Sequence, residues 1–225
     1  GIIVYAGYRI YKTQNTQQNN TEEPNTVAEE NIIKDIRLAL TNYDTMNPLI
    51  TSNKEILNID TLIFEPLFTL TQNYEIAPCL AKECAKTGNN IYVIKLKEGV
   101  VWQNGNPFTA EDVKFTIETI NQGNSIYKYN TSHITNIEVV DTNTVKLTLD
   151  ADVPFFVYNL IFPIVSSAYY QGEDFYSSAK TPIGTGKFTI TNISTNNITL
   201  AKNTKYRDLE LSLIHISEPT RLLSI

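Results

Sequence analysis

Residues 101 to 113 read VWQNGNPFTAEDV, and this run leaves the backbone few options. The Asn-Gly pair at 104–105 is a strong tight-turn signal, so the chain is expected to reverse there. Pro107 fixes the approach to the next element. Thr109 suits a helix N-cap, and Ala110, Glu111 and Asp112 make a first turn. Its acids face the positive end of the helix dipole, with Asp112 where a capping box puts its acid. Val113, Ile117 and Ile120 then recur at i, i+4, i+7, which predicts a helix from about Ala110 to Ile120 with one apolar face. The run reads as scaffold: Trp102 is expected to bury its ring, and Glu111 and Asp112 are not a catalytic pair, because adjacent helical residues point about 100° apart.

The rest of residues 35–210 mixes helices and strands, without an internal repeat. Asp35 to Leu40, DIRLAL, alternates as a strand does. A loop comes next, TNYDTMNPL, with Asn42, Asp44 and Pro48 as turn residues. Leu57 to Leu67 is apolar at helical spacing, and NYEIAP reads as a loop. IYVIKLK from Ile91 predicts a strand. Ile137 to Val140 and Thr144 to Leu149 predict a hairpin across Asp141, Thr142 and Asn143. Pro154 suits the first turn of a short helix. Phe188 and Ile190, then Ile198 and Leu200, predict another strand pair.

The chemistry inventory is thin. The chain has two His and two Cys among 225 residues. No spacing gathers the three or four ligands of a zinc site. His133 sits in a polar stretch, YNTSHITN, and reads as a surface or turn histidine, with no glycine-framed serine elsewhere to serve as nucleophile. There is no Gly-rich phosphate loop. Cys79 and Cys84 could bridge in an oxidising compartment or stand as two small apolar residues. The net charge of -6 is spread along the chain and argues against a nucleic-acid surface, which needs a basic stripe. An enzyme is the weaker class, and neither a catalytic residue, a cofactor nor a metal is assigned.

The two ends read differently from the middle. Residues 1–12, GIIVYAGYRIYK, are too short for a span of about 20 apolar residues. They are read as the remnant of a membrane anchor or signal segment, the alternative being a short buried strand. Residues 13–34 are polar and without apolar periodicity, as in a flexible tether. Leu211 to Ile225, LSLIHISEPTRLLSI, reads as the in-frame translation of a transposase sequencing adapter and is set aside as non-native.

The run from Tyr92 to Gly99, YVIKLKEG, together with Trp102, Asn104-Gly105, Pro107, Thr109-Ala110 and Asp112-Val113 after it, resembles the signature of the family 5 extracellular solute-binding proteins. These are the oligopeptide, dipeptide and nickel receptors of ABC importers. Three further pieces match in order. Glu75 to Ala81, EIAPCLA, is similar to the family's proline-x-leucine-alanine segment, with Cys84 where Trp is frequent. Pro182 to Phe188, PIGTGKF, resembles its glycine-threonine-glycine strand start, with Lys187 where Pro is usual. Lys202-Asn203 with Tyr206 resembles its later asparagine-tyrosine motif.

The resemblance covers residues 35 to about 207. It implies a mixed α/β, class II periplasmic-binding-protein-like receptor of two lobes. In this reading residues 35–50 and 182–210 form the core of the first lobe, 51–181 an inserted subdomain, and the second lobe lies beyond Glu210. The implied function is the substrate-binding subunit of an ABC importer, a monomer outside the cytoplasm. It would be tethered to the membrane by its N-terminal segment, bind a peptide or similar solute, and deliver it to permease and ATPase subunits. The alternatives are an extracytoplasmic sensing domain of a regulatory protein, or a hydrolase on the same fold. Candidate ligand-binding residues are Asn42, Tyr43 and Asp44, in the loop after the first strand, where α/β receptors meet ligand. Turn chemistry explains Asn42 and Asp44 equally well. The segment Gly184, Thr185, Gly186 is the other candidate, since its glycines permit close approach to a ligand or to another backbone.

Overall fold

The computed structural model describes residues 35–41 and 43–207. The readings of residues 1–34 as anchor remnant and tether, of 208–225 as lobe end and adapter, and of Asn42 as a ligand residue lie outside the described residues. Two antiparallel sheets and a short two-stranded ribbon carry the described chain. The first sheet holds strands β1 (Asp35–Ala39), β8 (Phe188–Ser194) and β9 (Asn197–Lys202) in the order β1-β9-β8. The second holds β4 (Ala81–Lys86), β5 (Ile91–Leu96), β6 (Ile134–Asp141) and β7 (Thr144–Leu149) in the order β4-β5-β7-β6.

The second sheet is built on the alternation the sequence displays. Tyr92, Ile94 and Leu96 of β5 are buried, as are Val145, Leu147 and Leu149 of β7. Tyr92 stands opposite Leu147 and Ile94 opposite Val145, so side chains of one face meet as cross-strand pairs. Helix α2 (Ala110–Gln122) lies over β6 and β7 and buries Val113, Ile117 and Ile120 completely. The β6–β7 turn is tighter than read: Asp141 pairs with Thr144, leaving Thr142 and Asn143 as the loop. The Asp141 carboxylate accepts the Asn143 N–H at 2.8 Å.

The run from Val101 folds as its residues dictate. Gly105 has φ +91° and donates its N–H to the Trp102 carbonyl at 2.8 Å. Trp102 is 1% exposed and packs edge-on against Phe108, with ring centres 6.1 Å apart. Thr109 and Asp112 form a capping box, in which the Thr109 N–H donates to the Asp112 carboxylate at 2.9 Å. Replacing Thr109 with Ala should lower stability by about 1 kcal/mol in urea denaturation, with the helix retained. A change below about 0.2 kcal/mol would mean that Asp112 holds the turn alone.

Three local readings are corrected. Helix α1 spans Lys54–Ile63 rather than Leu57 to Leu67. Asn53 caps it, accepting the N–H groups of Glu55 and Ile56. It stops before Pro66, which disfavours a helical Glu65, and Phe64 has already turned to φ -107°, ψ 152°. NYEIAP is not all loop: β3 (Ile76–Pro78) pairs with β2 (Phe68–Leu70), the chain turning through Tyr74 at φ 61°. Pro154 stands outside the short 3-10 turn Phe156–Asn159, because Phe155 before it has φ 56° and breaks the right-handed run.

Candidate functional site

The last turn of α1 leaves carbonyls without intrahelical partners, and these must be met from outside. The segment 184–186 meets one of them. The Gly186 N–H donates to the Ile63 carbonyl at 2.8 Å. A Cβ on Gly184 would lie 1.8 Å from that oxygen, and one on Gly186 would lie 2.7 Å from both the Ile63 and Leu62 oxygens. Gln103 fastens the segment from its other side. Its N–H and side-chain oxygen bond the Gly184 carbonyl and N–H, each at 3.1 Å, and its amide nitrogen donates to the Phe188 carbonyl at 2.6 Å. Asn203 donates to the Gly186 carbonyl at 2.8 Å. The scaffold run, the end of α1 and the start of β8 are thus tied together through main-chain groups.

A surface cavity of about 390 Å³ opens beside this junction. Leu57, Leu62, Phe64, Pro66, Ile161 and Pro163 give it apolar walls. Asp60, Glu65, Cys79, Tyr127, Gly186, Lys187 and Tyr206 also line it. Apolar walls with a few convergent polar groups are the usual makeup of a small-molecule site.

The polar groups differ sharply in how they are satisfied. Glu65 is held by Arg207 through two bonds of 2.7 Å and also accepts the Tyr206 hydroxyl at 3.4 Å. The Cys79 thiol points at Glu65 Oε1 at 3.6 Å; burial, with the Glu65 charge adding to it, pushes that thiol up to about 12. A thiol so raised is protonated at neutral pH and no nucleophile. Cys84, in β4, is raised to about 11 by burial, and both cysteines are free. Asp60 is 6% exposed, and neither of its carboxylate oxygens has a hydrogen-bond partner among the described residues. Burial, then the nearby Asp44 charge, push its pKa up to about 8.

Of the residues proposed from sequence, Gly186 lines this cavity. Gly184 and Gly186 approach a backbone, that of α1. Thr185 between them is 2% exposed, and its hydroxyl has no partner among the described residues. Tyr43 faces a second cavity of about 290 Å³ with Asn47, Phe175, Lys180 and Pro182.

Asp44 is occupied as a turn organiser. Its carboxylate accepts the N–H groups of Thr45 and Ser52, both at 2.7 Å, and the hydroxyls of Thr51 at 2.6 Å and Ser52 at 3.2 Å. Slight burial opposes ionisation, but these bonds outweigh it and lower its pKa to about 2. A depressed carboxyl contributes stability above its unfolded value, and that stability is lost as pH falls through the folded value. Asp44→Asn should therefore cost about 1–2 kcal/mol at pH 7, less than the shift alone would give because the group is exposed to screening. Chemical denaturation at pH 7 and pH 2 checks this: the difference should shrink to near zero at pH 2.

Sequence reasoning missed Asp60, Glu65, Tyr127 and Arg207. Asp60 left a readable signal: Ile56, Ile59, Asp60 and Ile63 share the buried face of α1, so an acid stands at an apolar position of the helical period. Glu65 and Arg207 left none, being 142 residues apart.

His133 pairs with Asp150 at 2.8 Å on a half-exposed part of the second sheet. Among the described residues, no three His, Cys, Asp or Glu side chains gather as a metal site, and no helix is long and apolar enough to cross a membrane.

Comparison with known proteins places this geometry. The family model for bacterial extracellular solute-binding proteins, family 5 Middle, matches residues 75–216, the last six of which fall in the stretch read as adapter. The glutathione-binding protein GsiB of Escherichia coli strain K12 is 28% identical over 166 residues, covering 69% of this chain and 31% of its own. NikZ from Campylobacter jejuni, solved with Ni(L-His), superposes with a TM-score of 0.68 at 25% identity over 74% of this chain and 35% of its own. The substrate-binding protein CtaP of Listeria monocytogenes superposes with a TM-score of 0.65 at 30% identity, over 74% of this chain and 36% of its own. The chain spans about a third of the length of these relatives. With 142 of its 225 residues matched, the chain belongs to the family 5 bacterial extracellular solute-binding proteins, a family of mixed α/β, two-lobed class II receptors.

Proposed function

We propose that this chain supplies the first lobe of the substrate-binding subunit of an ABC importer. The subunit is a monomer, tethered outside the cytoplasm, that captures a peptide or similar small solute and passes it to a permease. In this reading residues 35–50 and 182–210 are the core of the lobe and 51–181 its inserted subdomain. The family match over residues 75–216 carries the proposal. Relatives whose names or titles give glutathione and Ni(L-His) as what they bind support a small solute. The cavity at the end of α1 supports it, since about 390 Å³ lies within the range of small-molecule sites. Closure of a second lobe over this surface would complete the enclosure.

The test is a solute screen on the full-length gene product. Melting is monitored against di- and tripeptides, glutathione, amino acids and their nickel complexes. At least one class should raise the midpoint in a dose-dependent way, because a ligand that binds only the folded state stabilises it by mass action. A solute that is cleaved rather than held, seen as product by mass spectrometry, would replace the receptor reading with the hydrolase one.

A further inference from the structure

Asp60 is the one carboxylate on the cavity wall that lacks a partner among the described residues. Its neighbours do not balance it. Glu65, the other acid of the wall, is already matched by the Arg207 fork. Lys187 lines the cavity, but its ammonium lies 6.0 Å from the centre of the Tyr206 ring. Tyr127 and the Cys79 thiol are neutral groups, both raised by burial, with the Asp60 charge raising Tyr127 further. Asp44, from the loop after β1, adds negative rather than positive field. A buried ionised carboxylate needs a pairing cation or it neutralises itself with a proton. Beside it, Leu57, Leu62, Phe64 and Pro66 offer apolar surface.

We propose that Asp60 is the counter-ion for a primary ammonium carried on a short apolar chain, such as a lysine-like or alkylamine group of the solute, seated in this cavity. The proposal rests on the solute-binding reading and narrows it to cationic solutes. Without a bound cation the carboxyl keeps its proton up to about pH 8. The Asp60 oxygens are sealed from solvent in this structure, so pairing requires the side chain to turn toward the entering ammonium, and the displaced proton goes to solvent. The ammonium stays charged through this range, as a lysine does. Affinity should therefore rise about tenfold per pH unit between pH 6 and 7 and level off above 8.

The probe is n-butylammonium, with n-butanol as its neutral counterpart, measured by calorimetry on the 225-residue chain. The wild type should bind butylammonium more tightly than butanol and release a proton, read as a dependence of the heat on the buffer. Asp60→Asn, similar in shape and checked for folding by circular dichroism, should weaken butylammonium at least tenfold and leave butanol unchanged. The Asp60 carboxyl carbon resonance should titrate near pH 8 alone and lower with butylammonium. Equal butylammonium affinity in Asp60→Asn overturns the proposal. So does butylammonium binding that is absent in the wild type and appears only in Lys187→Met, which would make Lys187 the resident counter-ion. If the full-length protein binds solutes that Asp60→Asn leaves untouched, the counter-ion role fails and the receptor reading stands. If it binds no solute while butylammonium still obeys Asp60, the receptor reading fails instead.

Discussion

Replacing Gly184 with Ala should unfold the chain or bring it close to unfolding, with a loss of about 4 kcal/mol or more. The reason is a single contact. The added Cβ would stand 1.8 Å from the Ile63 carbonyl oxygen and 2.6 Å from its carbon. Both are backbone atoms at the end of α1, with no flexible side chain to swing aside. Relief requires the helix end and the segment to part, which breaks the Gly186 bond to Ile63 and the Gln103 bonds to Gly184. Ordinary overpacking costs about 1–3 kcal/mol, and a clash of this depth exceeds that class. Gly88 is the control: its added Cβ would meet only Ile91 side-chain atoms at 3.6 Å and beyond. Gly88→Ala should stay within about 0.5 kcal/mol of wild type. Denaturation of both variants decides it, and near-equal midpoints would mean that the 184–186 segment does not lie against the end of α1.

Asp112→Ala should cost about 4 kcal/mol, the second largest effect. Asp112 is 2% exposed, and its carboxylate accepts four bonds. One oxygen takes the Thr109 N–H at 2.9 Å and the Trp102 indole N–H at 3.1 Å. The other takes the Ser167 N–H and hydroxyl, both at 2.8 Å. Truncation strands the indole donor inside the core, and each buried unsatisfied group costs about 1–3 kcal/mol. It also removes half of the capping box. Glu111→Ala, one position earlier on an exposed face, should change stability by less than about 0.5 kcal/mol. A similar small effect at Asp112 would show that its role ends with the helix dipole.

Asp112 marks how far the sequence could be read. Its place three residues after Thr109 made the cap legible, because capping is local. Its second role depends on Ser167, 55 residues away, and no spacing rule reaches that far. The same division holds elsewhere. The alternation of β5 and β7 and the 113/117/120 face of α2 were legible because one side of each is buried against the same core. The end of α1 was misplaced because apolar periodicity runs on through Phe64 and Leu67, while the chain has already turned extended at Phe64, two residues before Pro66.

The glycines at 184 and 186 announced close approach, yet not what they approach. The cavity was harder still. It is assembled from α1 and the residues just after it, β2, the turn after β3, the segment before α3 (Lys128–Thr131), the segment after the 3-10 turn and the residues flanking β8 and β9. Its one local signal, an acid on an apolar helical face, was hidden within a run that reads as an ordinary amphipathic helix. The loop 42–44 looked equally like turn and site, and the four bonds to Asp44 account for its turn role.

The central claim is that this chain is one lobe of a receptor that holds its solute between two. Calorimetry of the solute found in the screen, on this chain and on the full-length product side by side, tests it most directly. If the full-length receptor binds near 1 μM, about -8.2 kcal/mol, and each lobe contributes about half, this chain retains about -4.1 kcal/mol, or millimolar affinity. The expected result is a gap of about a thousandfold between the two proteins. Micromolar binding by the 225-residue chain alone would contradict the account, because the site would then be complete within this lobe.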